Sequence, residues 1–252
     1  LCRWLNVDIE ITDDLSLREE ERNILEGIVD DTLDRFEQII NFAAIQTVNI
    51  GGPTEYHEAN GRPMTNLGNS PPLWRHNPFE EGEIQIYVQD AVHIPHELAH
   101  QIQDVYEVME KSATSEEPDL ITTDSATEKA FYETFAYLNQ LQYFDLPDAY
   151  DVEFDEVEEL RQNEITWKEY EENAKEYPDL HHPAGYQLAI TLDQHDVEPN
   201  QVLANSEEYG RAAEDAVAAA WLSGITKGNI ERQNYDDVVE RSFEENINPS
   251  KR

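Results

Sequence analysis

The chain has 252 residues, 39% of them hydrophobic, which is enough for one large domain or two small ones with a buried core. Acidic residues outnumber basic residues by 55 to 17, so the formal net charge is −38 at pH 7. A surface of this charge repels phosphate groups, which excludes nucleic acid and anionic membranes as expected partners. No apolar run approaches the ~18 residues that span a bilayer, so we predict no transmembrane segment.

The acidic composition resembles that of proteins from halophiles that accumulate salt in the cytoplasm, where the salt screens repulsion between surface charges. The same acidity suits a salt-rich exterior, so the sequence leaves the compartment open. It also carries no signal for an oligomeric state. Cys2 is the single cysteine, which excludes an intrachain disulfide and a zinc site of four cysteines.

The first part of the chain predicts three strands, because apolar and polar residues alternate with a period of two. The predicted strands cover 3–12, 47–50 and 83–88. Between the second and third strands, residues 53–82 are rich in Gly, Pro and Asn, which predicts a long loop.

One long helix is predicted between the first two strands. Ser16 and Glu19 have the spacing of a capping box, which is typical of a helix N-terminus, and the helical periodicity continues to about Ala44. The predicted buried stripe of this helix consists of Leu17, Ile24, Leu25, Ile28, Val29, Leu33, Phe36, Ile39 and Ile40.

The downstream part of the chain predicts helices almost exclusively. They cover about 124–143, 152–176, 183–194, 199–205, 207–223 and 235–246. The charge run at 151–176 is interpreted as a solvated surface helix or lid. We therefore predict an α+β fold in a single domain, 1–252, with a small mixed sheet and the motif helix in 1–110 and a helical half in 111–252.

Residues 96–100 read His-Glu-Leu-Ala-His, an H-E-x-x-H run that follows the third predicted strand. On a helix, positions i and i+4 share a face, so the imidazoles of His96 and His100 can reach one metal ion. Glu97 then lies beside the metal, where it can serve as the base for an activated water. This arrangement predicts Zn²⁺ as the cofactor.

A helical wheel of residues 92–107 separates an apolar arc from a polar face at about 100° per residue. The polar face contains His93, His96, Glu97, His100, Asp104 and Glu107. The two motif histidines are therefore predicted to lie away from the core.

Two histidines do not hold zinc by themselves, because a catalytic site has three protein ligands and an open position. The predicted helix at 124–143 offers two carboxylates, Glu133 and Glu128, on opposite edges of its apolar stripe. Asp104 and Glu107 are further alternatives, and helix geometry alone does not choose among them.

The segment Glu133-Thr134-Phe135-Ala136, downstream of H-E-x-x-H, resembles the gluzincins, metallopeptidases in which a later Glu completes the zinc site. In that group a small residue often follows the ligand by three positions and lets two helices approach closely, as Ala136 would here. The resemblance, which covers about 90–190, implies Glu133 as the third ligand and a zincin-like fold.

A second segment fits the same resemblance. Gluzincins commonly place a Tyr or His after the third ligand, where it donates a hydrogen bond to the oxyanion formed during hydrolysis. Residues 182–186, His-Pro-Ala-Gly-Tyr, stand at the corresponding place. The resemblance implies His182 as this donor, with Tyr186 or His181 as substitutes.

Together these observations predict a zinc-dependent metallopeptidase that acts on a peptide or protein substrate, with Glu97 as the general base. One alternative is a zinc hydrolase of a non-peptide substrate, because the activation of water is shared. A second alternative is a non-catalytic helical module with a structural metal site. In that case His93 or another carboxylate would close the fourth position.

Overall fold

A computed structural model describes residues 7–37, 39, 45–52, 83–88, 91–114, 125–144, 165–172, 180–225 and 239–241. These residues form an α+β structure that is mostly helical. The chain divides into two compact units, Leu1–Ile121 with Gln142–Phe144 and Thr122–Leu141 with Asp145–Arg252. The single domain over 1–252 stays a prediction, and the predicted loop at 53–82 lies outside the described residues.

The first unit contains a three-stranded sheet, and all three predicted strands are confirmed. Strands β1 (Asp8–Ile11), β2 (Thr47–Gly51) and β3 (Glu83–Tyr87) pair in the order β1-β2-β3. Both pairs are parallel, so the prediction of a mixed sheet is wrong for the described strands. The period-two pattern reports which side chains are buried and carries no information on strand direction.

Helix α1 (Glu19–Phe36) follows β1 and supplies the crossover that two parallel strands require. Its buried side chains recur at helical spacing, which confirms four of the nine residues of the predicted stripe. They are Leu25, Val29, Leu33 and Phe36, together with Thr32. Ile24 is wrong as a stripe member, since it is 62% exposed and lies about 100° around the helix from Leu25. The helix ends at Phe36 rather than near Ala44.

The capping box predicted at Ser16 is wrong. Ser16 has a φ of 51° at the end of a 3-10 turn, a left-handed conformation that does not start a helix. Arg18 is the N-cap instead, and its backbone N–H donates to the Glu21 carboxylate at 2.8 Å. Hydrogen bonds from the Arg18 side chain and backbone lower the pKa of Glu21 to about 2. The sequence contains two overlapping pairs with capping-box spacing, Ser16 with Glu19 and Arg18 with Glu21, and only the backbone geometry shows which pair caps the helix.

Helix α2 (Ile94–Thr114) follows β3 after a 3-10 turn at Ala91–His93, so the predicted motif helix is confirmed. Its apolar arc is fully buried and packs against β3 and α1. The fully buried side chains of this arc are Ile94, Leu98, Ala99, Ile102 and Val105. The sheet, α1 and α2 thus form the core that holds the H-E-x-x-H run.

The described part of the second unit is helical, as predicted. It contains α3 (Ala126–Leu141), α4 (Trp167–Glu172), α5 (His181–Gln194), α6 (Pro199–Ala204) and α7 (Ser206–Ile225). Helix α3 packs against all four others. Of the helix predicted at 235–246, residues 239–241 are helical and the rest lie outside the described part. No helix among the described residues is both long and apolar enough to cross a membrane.

Helix α4 contributes Tyr170 to the core of the second unit, while Lys168 and Glu169 are exposed, so the interpretation as a solvated surface helix holds only for its charged residues. Tyr170 is fully buried, with its ring 4.9 Å from that of Trp221 and stacked on Trp167 at 6.1 Å. The Tyr170 hydroxyl accepts a hydrogen bond from the backbone N–H of Leu180 at 3.1 Å, directly before α5. A few aromatic side chains therefore outweigh the surrounding charges in deciding burial.

Candidate metal centre

His96 and His100 lie one turn apart on α2, and their Nε2 atoms are 3.2 Å apart. Their rings are nearly perpendicular, at 86°, with centroids separated by 4.8 Å. Two imidazole nitrogens at ~2.0–2.1 Å from one tetrahedral zinc are separated by about 3.3 Å. The two histidines therefore already have the spacing of a pair of zinc ligands.

The face of α2 that carries the motif is buried. His96 is 5% exposed and Glu97 is 0% exposed, while His100 is half-buried. The helical wheel places the histidines off the apolar arc, and it did not predict that His96 is nonetheless shielded from water. A helical wheel separates polar from apolar side chains, but it does not tell whether a polar face meets water or protein.

Glu133, on α3, is the third member of the candidate site and is 9% exposed. His96, His100 and Glu133 form a buried group that can hold a metal ion, and their ligand atoms all lie within 4.8 Å of one another. A point within about 2.8 Å of all three atoms therefore exists, compared with zinc–ligand bonds of about 2.0–2.2 Å.

Of the other carboxylates considered for the third ligand, Glu128 and Asp104 do not join this group. Glu128 is exposed in the first turn of α3, where its backbone N–H donates to the Ser125 hydroxyl at 3.1 Å. Asp104 is half-buried on α2, and the side chain of Glu107 lies outside the described part of the structure. Among the described residues, Glu133 is thus the carboxylate that accompanies the two histidines.

Helix α5 approaches α3 very closely beside Glu133. A Cβ atom built on Gly185 would lie 2.6 Å from the Glu133 Cβ and 2.8 Å from the carbonyl oxygen of Ala130. Contacts below 3.0 Å are essentially never made by real Cβ atoms. Only glycine fits at position 185, so Gly185 permits the close helix spacing at Glu133.

His182, predicted as the oxyanion donor, contacts the candidate metal ligand itself. Its Nε2 atom lies 3.2 Å from Oε1 of Glu133. The two side chains are 26% and 12% exposed, so water only partly screens this contact. His181, the substitute donor, has its ring 4.6 Å from the His182 ring.

Tyr186 and His93 complete the set of predicted site residues. Tyr186 is 4% exposed, and its ring packs edge-to-face on Tyr137 at 5.1 Å. His93, which was expected to close a structural site, is half-buried in the 3-10 turn before α2 and is not a member of the metal-binding group. Neither position tests the role that the sequence suggested.

Sequence reasoning missed the support that α4 gives to this site. Tyr170 fixes the backbone at Leu180, two residues before His182, and Glu171 accepts a hydrogen bond from the Thr127 N–H in the first turn of α3. The isolated aromatic residues within the acidic run were the available signal. Their spacing was too sparse to predict which helices they contact.

No protein-family model matches the chain, and no curated protein or solved structure gives a significant match. The resemblance to the gluzincins therefore stays a prediction. What can be argued about function comes from the chemistry of the group itself, namely two imidazoles and one carboxylate on two helices.

Proposed function

We propose that this protein is a zinc-dependent metallopeptidase with a zincin-like fold. One observation carries the proposal: His96, His100 and Glu133 form a buried group whose ligand atoms lie within 4.8 Å of one another. Two imidazole nitrogens and one carboxylate oxygen are a ligand set that catalytic zinc uses in metallopeptidases. The 3.2 Å separation of the two Nε2 atoms fits zinc without a change of helix geometry.

The number of ligands supports a catalytic rather than a structural metal. Structural zinc sites are closed by four protein ligands, whereas catalytic sites have three and an open position. Within the described residues the group has three members. When bound, Zn²⁺ supplies Lewis acidity, which makes water acidic enough to attack near neutral pH and polarises a carbonyl oxygen.

Glu97 is the residue that we propose as the general base. It directly follows His96 on α2, and its side chain is fully buried, so its position is fixed by packing. In the proposed reaction its carboxylate takes a proton from the attacking water and later gives it to the leaving amine. Tyr186 and His181 remain proposed donors to the oxyanion that develops on the substrate, since the ring of His182 contacts the Glu133 carboxylate.

A peptide is the favoured substrate because β3 leads directly into the 3-10 turn and the motif helix. Among the described strands, β3 lies at one edge of the sheet. An extended peptide can add to such an edge through main-chain hydrogen bonds, which would align it along the strand. A non-peptide substrate would not use this edge.

The proposal is tested by assaying a mixed peptide library in molar salt with the full chain, before and after metal removal by a chelator. We expect cleavage that the chelator abolishes and Zn²⁺ restores. Glu97→Gln should lower kcat by roughly 10²–10⁴-fold while leaving zinc binding intact, since only proton transfer is lost. Glu128→Gln, an exposed carboxylate on α3, is the matched control and should behave as wild type.

Two results would overturn the proposal in different ways. If Glu97→Gln binds zinc and cleaves as well as wild type, the base assignment is wrong. If the wild-type protein binds zinc tightly but cleaves no peptide, the two alternatives take its place. Activity on ester, amide or glycan substrates would then indicate a non-peptide hydrolase, and a metal that only raises thermal stability would indicate a structural site.

A further inference from the structure

We propose that His182 positions the carboxylate of Glu133, through a hydrogen bond from Nε2 to Oε1, and that Gly185 lets α5 come close enough to make this contact. The inference rests on the proposed metal site and deepens it, because it assigns His182 to the third ligand rather than to the substrate. His182 is thus a positioning residue.

The contact itself has the length of a hydrogen bond. Nε2 of His182 lies 3.2 Å from Oε1 of Glu133, and the carboxylate is 12% exposed. A ring tautomer with its proton on Nε2 donates to Oε1 and leaves Oε2 as the oxygen directed to the metal. Holding one oxygen in this way selects a single orientation of the carboxylate, which a long and otherwise rotatable Glu side chain needs.

A glycine in α5 lies beside this contact and permits the close approach of the two helices. Gly185 follows His182 by three residues, so both lie on the same face of α5. At Gly185 an added Cβ would lie 2.6 Å from the Glu133 Cβ and 2.9 Å from the Thr134 nitrogen. Helix α5 thus approaches α3 closely at the residue whose carboxylate His182 contacts.

The N-terminal end of α5 is held from a second side. Tyr170 is fully buried, and its hydroxyl accepts a hydrogen bond from the backbone N–H of Leu180 at 3.1 Å. This bond fixes the backbone two residues before His182. The histidine is therefore presented from a rigid helix start, which is what an orienting role needs.

A second His–Glu pair at the other end of α5 provides the matched control. Nε2 of His195 lies 2.7 Å from Oε1 of Glu240, and the two side chains are 35% and 43% exposed. The chemistry of this pair is the same, but Glu240 is not a member of the metal-binding group. Loss of His195 removes a surface pair and should not affect the metal centre.

The test measures metal binding by the full chain in molar salt, with no substrate present. Zn²⁺ affinity is obtained by competition with a chelator, and the visible absorption spectrum of the Co²⁺-loaded protein reports the ligand geometry. The variants are His182→Phe, which keeps an aromatic ring beside His181 but has no donor, His182→Gln, which keeps an N–H donor, and His195→Phe.

We expect His182→Phe to lower Zn²⁺ affinity by roughly 10–100-fold and to change the Co²⁺ spectrum, because the ligand carboxylate loses its fixed orientation. His182→Gln should restore both readouts to near wild type, and His195→Phe should leave both unchanged. Since His182→Gln retains the donor, the inference stays testable even if His182→Phe folds poorly: a strong loss of affinity in a folded His182→Gln would overturn it.

Other outcomes separate this inference from the proposed function. Unchanged affinity and an unchanged Co²⁺ spectrum in His182→Phe, with only kcat reduced, would make His182 an oxyanion donor and overturn the inference alone. A wild-type protein that takes up neither Zn²⁺ nor Co²⁺ would overturn the metal centre and the inference together.

Discussion

Helices α1 and α2 belong to the same unit and both have one apolar face, yet their polar faces have opposite surroundings. The polar residues of α1, such as Glu19 and Glu20, are exposed, as a strongly acidic surface requires. On α2 the polar residues Glu97 and Gln103 are completely buried. The acidic residues of α1 therefore belong to the protein surface, whereas the buried polar residues of α2 indicate where chemistry is expected.

The burial of α2 has a cost that α1 does not have. A polar group removed from water destabilises the folded state unless hydrogen bonds or a bound ion compensate for the lost hydration. Natural proteins retain such groups mainly where function needs them, so stability and activity are expected to conflict there. The effects of substitutions on metal affinity and on stability should therefore differ between the two helices, both in size and in sign.

The largest difference is expected from replacing one polar residue on each helix with alanine: His100, which is half-buried on α2, and Glu20, which is exposed on α1. His100→Ala should lower Zn²⁺ affinity by more than about 100-fold, above the ~10–100-fold loss typical of a residue that only orients a ligand. Glu20→Ala on α1 should leave affinity unchanged. Chelator competition measures both, and equal affinities in His100→Ala and wild type would remove His100 from the site.

Glycine substitutions sharpen the comparison between a solvated helix and the helix contact at the metal centre. Gly185→Ala should destabilise the protein by about 1–3 kcal/mol, because the new Cβ overlaps Glu133 and Ala130. Gly27→Ala on α1 meets no atom within 4 Å and should stabilise by about 0.5–1 kcal/mol. Denaturant unfolding gives both values, and a stabilising Gly185→Ala would contradict the close approach of α5 to α3.

Gln103 gives the third test. Its side chain is 0% exposed, and neither amide atom has a hydrogen-bond partner in the described part of the structure. An unsatisfied buried amide costs about 1–3 kcal/mol, so Gln103→Met, of similar volume, should raise thermal stability by at least about 2–4 °C. A clear loss of stability would instead show that the amide has a partner, such as an ordered water.

The smallest effect is expected at the exposed start of α1. The pKa of Glu21 is lowered to about 2 from its ordinary value of 4.5, so its stabilising interaction with Arg18 is complete above pH 4.5 and is lost as the pH falls towards 2. Wild type should therefore unfold at a slightly higher temperature than Glu21→Gln at pH 6, and the gap should narrow by pH 3. A gap that widens on acidification would show that another interaction is responsible.

The sequence predicts the elements that hold the site better than it predicts their surroundings. Strands β1 to β3 and helix α2 follow from the periodicity of apolar residues, because each type of secondary structure requires its own spacing of buried side chains. The parallel arrangement of the sheet and the N-cap at Arg18 depend on chain path and backbone geometry, which periodicity does not encode.

The site shows the same division. The i, i+4 spacing of His96 and His100 predicts two converging imidazoles, and their Nε2 atoms are 3.2 Å apart. The choice of Glu133 over Glu128 came from resemblance, because helix geometry left both open. The contact of His182 with Glu133 depends on how α5 packs on α3 at Gly185, a close approach that becomes visible only when both helices are present in three dimensions.

The most direct test of the central claim is elemental analysis of the full chain, purified in molar salt, beside the double variant His96→Ala/Glu133→Gln. The account predicts about one Zn²⁺ ion per wild-type chain and almost none in the variant, since two of the three ligands are lost. Wild-type protein without a transition metal after incubation with Zn²⁺, or equal zinc in both proteins, would contradict it.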